Sequence, residues 1–309
     1  MHELILFVLY LCIFLAGMAV LRIGLFNLSG ESLKAFLSKV TNTPWKGFIV
    51  GTCITGILQS SAAVMVMTIG LVSAGSLTFP QTIGIILGSN IGSTLTAEFM
   101  TFSFDKWIVP GVISGALLCF VPKNVCKSIG ISLIGLSAIF AAMSGFKQMA
   151  GPISSYSTVQ TLTDSMDRNI LIALLTGLVI TAVIHSSSAT IGISMSFLAS
   201  DELTVYAAIA IMLGSNIGTC ITGYMASFGS GNEARFTAYA HIWLNVLGVL
   251  AFIPFIHLLE DAAAHFTPDK ATQLAHASVL FNVITSLIVL PFSRQFAKLI
   301  HIIHRPLKT

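Results

Sequence analysis

Nine apolar blocks follow one another along this chain, at roughly 4–26, 46–74, 78–100, 107–121, 124–145, 168–199, 203–227, 237–258 and 273–292. Stretches such as 4–21 and 237–257 are long enough to cross a hydrocarbon layer of about 30 Å. A water-soluble globule could not hide them. Charged residues make up 9% of the 309 positions, against about 25% in soluble domains, too few to coat a protein of this size. The blocks are continuous, without the short apolar–polar alternation of barrel strands. Helices are then the spanning structure that satisfies every backbone group in lipid. The expectation is an all-α, polytopic protein of the cytoplasmic membrane.

Smaller features follow from that frame. The net charge of +3 is too small to suggest nucleic-acid binding. Cys12, Cys53, Cys119, Cys126 and Cys220 lack metal-ligand spacing and read as small packing residues, not disulfides. Glu3 flanks the first block and no small-residue cleavage site is clear, so the block reads as a retained helix. Residues 27–46, with Glu31, Lys34, Lys39 and Lys46, suit an amphipathic interfacial helix. Arg22 and those lysines, like Arg294, Lys298, Arg305 and Lys308 in the tail, are placed in the cytoplasm. The 259–272 loop, with Glu260, Asp261 and Asp269 against Lys270, then faces outward. A polar linker at 148–167 divides a first repeat (1–147) from a second (168–295), and a short basic tail covers 296–309.

Within this pattern the chain repeats itself. Gln59-Ser60-Ser61-Ala62-Ala63 recurs as His185-Ser186-Ser187-Ser188-Ala189, and Gly88-Ser89-Asn90-Ile91-Gly92 as Gly214-Ser215-Asn216-Ile217-Gly218, both 126 positions later. The same offset pairs Gly51 with Gly177, Thr55 with Thr181, Leu77-Thr78 with Leu203-Thr204 and Thr96 with Thr222. Such agreement indicates duplication. Duplicated halves are common in secondary transporters, whose substrate site lies at the repeat interface. Two glycines, an asparagine and a serine in mid-block are poor in helix propensity, and adjacent polar side chains at that depth are costly in lipid. Broken helices or re-entrant hairpins are therefore expected in each half, with freed amides for an anion and freed carbonyls and hydroxyls for a cation. The plainer reading is that Ser, Thr and Gly line close helix contacts.

These paired clusters, each followed by a GSNIG segment and a hydroxyl residue (Ser93, Thr219), resemble the type II sodium-phosphate cotransporter family. Its repeats carry Gln-Ser-Ser-Ser and Gly-x-Asn-x-Gly-Thr. Ala240-His241-Ile242-Trp243-Leu244-Asn245 and Ala275-His276 through Phe281-Asn282 resemble its Ala-His-x-x-Phe-Asn helices. The likeness covers about residues 1–295. It implies inverted repeats and sodium-driven uptake of inorganic phosphate by alternating access, with no cofactor besides the coupling Na+. The PhoU-like tail of some bacterial members is not expected here, since the chain ends soon after its last block. Partners are then phosphate, sodium and the lipid bilayer; a homodimer is compatible with the architecture, which the sequence does not specify.

Two departures stand out. Ala62 replaces the third serine of the first signature, which puts a cation ligand in doubt. His185 replaces the glutamine of the second, which either gives transport a dependence on pH or supplies one neutral hydrogen bond as Gln would. No basic residue lies near either GSNIG, so a strongly hydrated dianion must be met by amides, hydroxyls and bound sodium. On the resemblance, Gln59, Ser60, Ser61, His185, Ser186, Ser187 and Ser188 form the phosphate site. Ser89, Asn90, Gly92, Ser93, Thr94, Ser215, Asn216, Gly218 and Thr219 form the sodium and backbone site. Glu98 is expected at an interface, the alternative being a buried acid or cation ligand; His241, Asn245, His276 and Asn282 are expected in interhelical hydrogen bonds, and Lys106 and Trp107 at the headgroups. The rivals are a symporter of another small anion and a passive anion channel. A Ser–His hydrolase is disfavoured, because it needs one nucleophile, not two symmetric copies, and adjacent helical residues do not face each other.

Overall fold

The computed structural model describes residues 2–40, 43–102 and 104–304, with side chains throughout except at 29–40. The described residues are almost all helical, as the apolar blocks require. The helices are α1 (His2–Val40), α2 (Pro44–Leu58), α3 (Ser61–Ser73), α4 (Phe79–Met100), α5 (Ile108–Cys119), α6 (Asn124–Ser154), α7 (Ser157–Arg168), α8 (Ile170–Ile184), α9 (Ser187–Ala199), α10 (Val205–Gly218), α11 (Cys220–Ala226), α12 (Asn232–Phe252), α13 (Ile256–Phe266), α14 (Lys270–Val289) and α15 (Ser293–Ile303). Among the described residues, five segments are long and apolar enough to cross a membrane, or six if α4 and α5 are taken as one bent span. Large apolar side chains such as Val183 and Phe120 point outward, 74% and 86% exposed, as lipid contact permits and water does not. The chain is a multi-pass membrane protein.

Helix boundaries obey the same offset as the sequence repeat. Thr43 and Asn169 cap α2 and α8, accepting from the amides of Lys46 (3.4 Å) and Leu171 (3.0 Å). Ser60 and Ser186 cap α3 and α9, and Thr78 and Thr204 open α4 and α10. Each pair lies 126 residues apart. Local capping chemistry has thus been duplicated along with the apolar pattern.

Glycine contacts show how the elements run. A Cβ on Gly84, Gly88 or Gly92 of α4 would strike the carbonyl of Pro44, Phe48 or Thr52 of α2 in turn. Partners that advance together in fours mean parallel helices in close backbone contact. Gly214 and Gly218 of α10 meet the carbonyls of Leu174 and Leu178 of α8 in the same way. If α2 and α4 run parallel, α3 must run back between them. The 46–74 and 168–199 blocks are therefore re-entrant hairpins, with tips at Gln59-Ser60 and His185-Ser186.

The halves are inverted. Helix α12 runs parallel to α4, since Thr82 meets Thr237 (3.3 Å) and Asn90 meets Asn245 (3.2 Å). It runs antiparallel to α10–α11, since Cys220 meets Asn245 while Tyr224 meets Tyr239. Hence α4 and α10 are opposed. Both are core helices: residues 82–89 are all buried, as are 207–215. A helix apolar all round must be enclosed by others.

Several expectations change. The first GSNIG sits inside an unbroken α4, and the second ends α10 at Gly218 with a single non-helical residue, Thr219, whose φ of −63° and ψ of −23° keep the chain in the helical region. Close packing decides against propensity here, because the glycines admit a neighbouring backbone and helix satisfies every amide in lipid. The 148–167 linker is divided between the end of α6 and α7, and most of the 259–272 loop is α13. Cys12 and Cys53 are exposed and not packing residues; all five cysteines are free thiols. The interfacial reading of 27–46 falls mostly on side chains outside the described residues, as do Arg305 and Lys308.

Candidate functional site

Each hairpin tip is a helix end followed at once by a helix start. At the first, Gln59 closes α2 with φ 51° and ψ 34°; at the second, His185 closes α8 with φ 58° and ψ 29°. Left-handed backbone is unfavourable for a residue with a Cβ, and where it persists the surroundings hold it, often at a functional site. Side chains do part of the holding. Thr96 donates to Gln59 Oε1 at 2.9 Å, while the Gln59 amide donates back to the Gly56 carbonyl. His185 Nδ1 lies 3.3 Å from Thr222 Oγ1. Thr96 and Thr222 are repeat equivalents, so each tip is fixed by the same hydroxyl of its own half.

One residue on, Ser60 Oγ accepts from the Ala63 amide at 3.1 Å and Ser186 Oγ from Ala189 at 3.2 Å. A cap of this kind uses one of the four amides that a helix start leaves without intrahelical acceptors. The amides of Ser61 and Ala62, and of Ser187 and Ser188, stay at the tips with the half-buried hydroxyls of Ser61, Ser187 and Ser188. Positive dipole ends and hydroxyl donors together suit an oxyanion. Gln59 is nearly buried and His185 exposed, so the two tips are alike in backbone and unlike in surroundings.

The helices that hold the tips pack against the other repeat. The C-terminal part of α4, which holds Gln59 through Thr96, packs against α9: a Cβ on Gly192 would sit 3.3 Å from Met100 Sδ. Likewise α11, which holds His185 through Thr222, packs against α3: a Cβ on Gly223 would sit 3.8 Å from Met65 Cβ.

The GSNIG residues do other work. Ser89 accepts a hydrogen bond from Thr55 at 2.9 Å, joining α4 to α2. Gly92 and Gly218 are close-packing positions. Ser93, Thr94, Ser215, Asn216 and Thr219 bond to carbonyls of their own helices (Asn90, Ile91, Met212, Met212 and Asn216), which leaves the lone pairs of their side-chain oxygens free of these bonds. Asn90 reaches across to Asn245 in the other half, whose amide nitrogen bonds the His241 carbonyl (2.9 Å) and approaches Cys220 Sγ (3.4 Å). Asn245 thereby links the first motif to the residue just past the second.

Glu98 is not a free interfacial acid; its carboxylate meets His276 Nδ1 of α14 at 2.9 Å, both side chains under a third exposed. This is an interhelical bond of the kind expected for His276, but motif reading gives neither its partner nor the tip-holding role of Thr96 and Thr222. The two threonines are marked by the repeat offset, whereas Glu98 and His276 are 178 residues apart with no such signal. Asn282 bonds within its own helix to the Ser278 carbonyl, and its Oδ1, like His241 Nδ1, is buried without a partner. For these two the expected interhelical bond is not made.

The sequence model described as Na+/Pi-cotransporter matches residues 13–148 and, a second time, 152–287. YqeW of Bacillus subtilis (strain 168) is 43% identical over 300 residues, covering 97% of this chain and 98% of that protein. YjbB of Escherichia coli (strain K12), named as a candidate inorganic phosphate export protein, is 25% identical over 91% of this chain. The human sodium-dependent phosphate transport protein 2B is 34% identical over 54% of it. The chain spans 52% of the length of the E. coli relative and 22% of the human one. No solved structure matches the chain.

Proposed function

The chain belongs to the Na+/Pi-cotransporter family, and from that premise we propose that it carries inorganic phosphate across the membrane together with sodium, by alternating access at the interface of its repeats. The observation that carries the reading is the pair of inverted hairpin tips, each a serine-capped helix start. Gln59, Ser60, Ser61, Ser186, Ser187 and Ser188 supply hydroxyls and backbone amides to the anion, with His185 as a further donor. Donors of this kind replace water around a dianion without a fixed cation, and a bound sodium then offsets the remaining charge. Oxygens of Ser89, Asn90, Ser93, Thr94, Ser215, Asn216 and Thr219 form the sodium-binding layer, and Gly92 and Gly218 set its distance from α2 and α8. Each ion's site is incomplete without the other, which is the physical basis of coupling.

Purified protein in proteoliposomes tests this with radiolabelled phosphate. Accumulation under an inward sodium gradient, absent in its absence, is the expected result. Downhill flux indifferent to sodium would instead mean a passive pathway, and competition by sulfate or carboxylates as strong as by phosphate would mean another anion. An export role has its own support in the name of the E. coli relative; loading phosphate inside and reversing the gradient measures it in the same vesicles.

A further inference from the structure

His241 stands mid-way along α12, 3% exposed, with its Nδ1 buried and unpartnered. Unpaired buried nitrogens are rare and costly. The backbone at this point is tied to its neighbours: the His241 carbonyl accepts from both Asn245 Nδ2 (2.9 Å) and Cys220 Sγ (3.5 Å), and Asn245 is tied in turn to Asn90.

What the nitrogen faces is the notch left by Gly223. A Cβ there would lie 3.5 Å from Nδ1, with Ile69 Cδ1 and Met65 Cβ of α3 on its other side. The helices around that notch lead to both tips. Thr222, the residue before Gly223, holds His185 of the second. Ser61 of the first lies one helical turn before Met65 and on the same face of α3, about 5–6 Å away between Cβ atoms. A buried polar atom without a partner thus sits beside α11 and α3, the helices that carry Thr222 and Ser61, on a helix that belongs to neither hairpin.

We infer that His241 is a further binding residue for the transported oxyanion, its Nδ1 hydrogen-bonding a phosphate oxygen held between the tips. This rests on the phosphate reading above. A neutral imidazole can donate to a bare oxygen or accept from a phosphate hydroxyl, depending on tautomer; either bond relieves the unpaired nitrogen only when substrate is present.

The test has two arms, both on the full chain. In proteoliposomes, His241→Phe keeps the ring but removes the nitrogens, and phosphate KM should rise by roughly tenfold or more, the range of a hydrogen bond to a charged group. The sodium concentration for half-maximal uptake and the maximal rate should change less. His241→Asn, which returns a nitrogen close to the ring, should recover much of the loss. In the wild type labelled with 15N-histidine, the resonance that His241→Asn removes should shift on titration with inorganic phosphate, a readout that survives any misfolding of the Phe variant. An unchanged KM in a folded His241→Phe protein, or a His241 resonance that ignores saturating phosphate, overturns the inference while leaving wild-type uptake intact. A wild type that takes up no phosphate overturns the functional reading itself.

Discussion

Alanine at Gly92 adds one methyl group at the point where α4 rests on α2. Its Cβ would lie 2.5 Å from the Thr52 carbonyl oxygen, 2.7 Å from Thr55 Cβ and 3.0 Å from the Gly56 nitrogen. Carbon–oxygen contacts normally sit at about 3.3 Å or more, so the helices must separate by roughly 0.8 Å or the new side chain must be forced in. Overpacking of this kind costs about 1–3 kcal/mol, and contact with both backbone and a β-branched Cβ puts Gly92 at the upper end. Better helix propensity returns about 1 kcal/mol, leaving a net loss of about 2 kcal/mol. Gly70 on α3 has nothing within 4 Å of its added Cβ, so the same substitution there should stabilise by about 1 kcal/mol. Two chemically identical changes should therefore differ by about 3 kcal/mol, or on the order of a hundredfold in the unfolding constant. Unfolding in detergent micelles, followed by tryptophan fluorescence, measures it. Should Gly92→Ala prove as stable as Gly70→Ala, glycine at this position serves something other than close approach, and the account of the motif as a packing surface is wrong.

Other outcomes follow from the tips. Ser60→Ala and Ser186→Ala each remove a cap worth about 1 kcal/mol; uptake should fall by far more than that loss of stability explains, and a fall in step with stability would make the serines merely structural. His185→Leu removes the contact with Thr222 and should lower phosphate uptake, while His185→Gln should keep much of it; equal uptake by the two variants would show that the tip does not need a hydrogen-bonding side chain there. Asn245→Leu severs the link between α4 and α12, and uptake should drop with the protein still folded by gel filtration. Lys270→Ala breaks the exposed pair with Asp201 and should change stability by less than about 1 kcal/mol, as thermal unfolding at low and high salt would report.

The fold was legible in sequence wherever a constraint repeats. Apolar length predicts helices, the 126-residue offset predicts two halves, and adjacent polar residues at Gln59-Ser60 and His185-Ser186 predict interruptions that the hairpin tips supply. Inversion is different. It depends on how many segments cross between the tips, which periodicity does not count but contacts such as Asn90–Asn245 reveal. The GSNIG segments mislead because glycine has two opposite uses, breaking a helix in water and pressing one helix against another in lipid, and only the partner backbone tells them apart. Glu98–His276 and the unpaired His241 nitrogen are properties of distant helices brought together, and no local pattern announces them.

The common spacing of Thr43/Asn169, Ser60/Ser186 and Thr78/Thr204 has a practical corollary. This chain carries its own replicate: a substitution at one position can be compared with the same change 126 residues on, in the same membrane, at the same expression level and within one fold. Divergent phenotypes within such twins would map where evolution has given the two copies separate tasks, with Gln59 and His185 the first pair to compare.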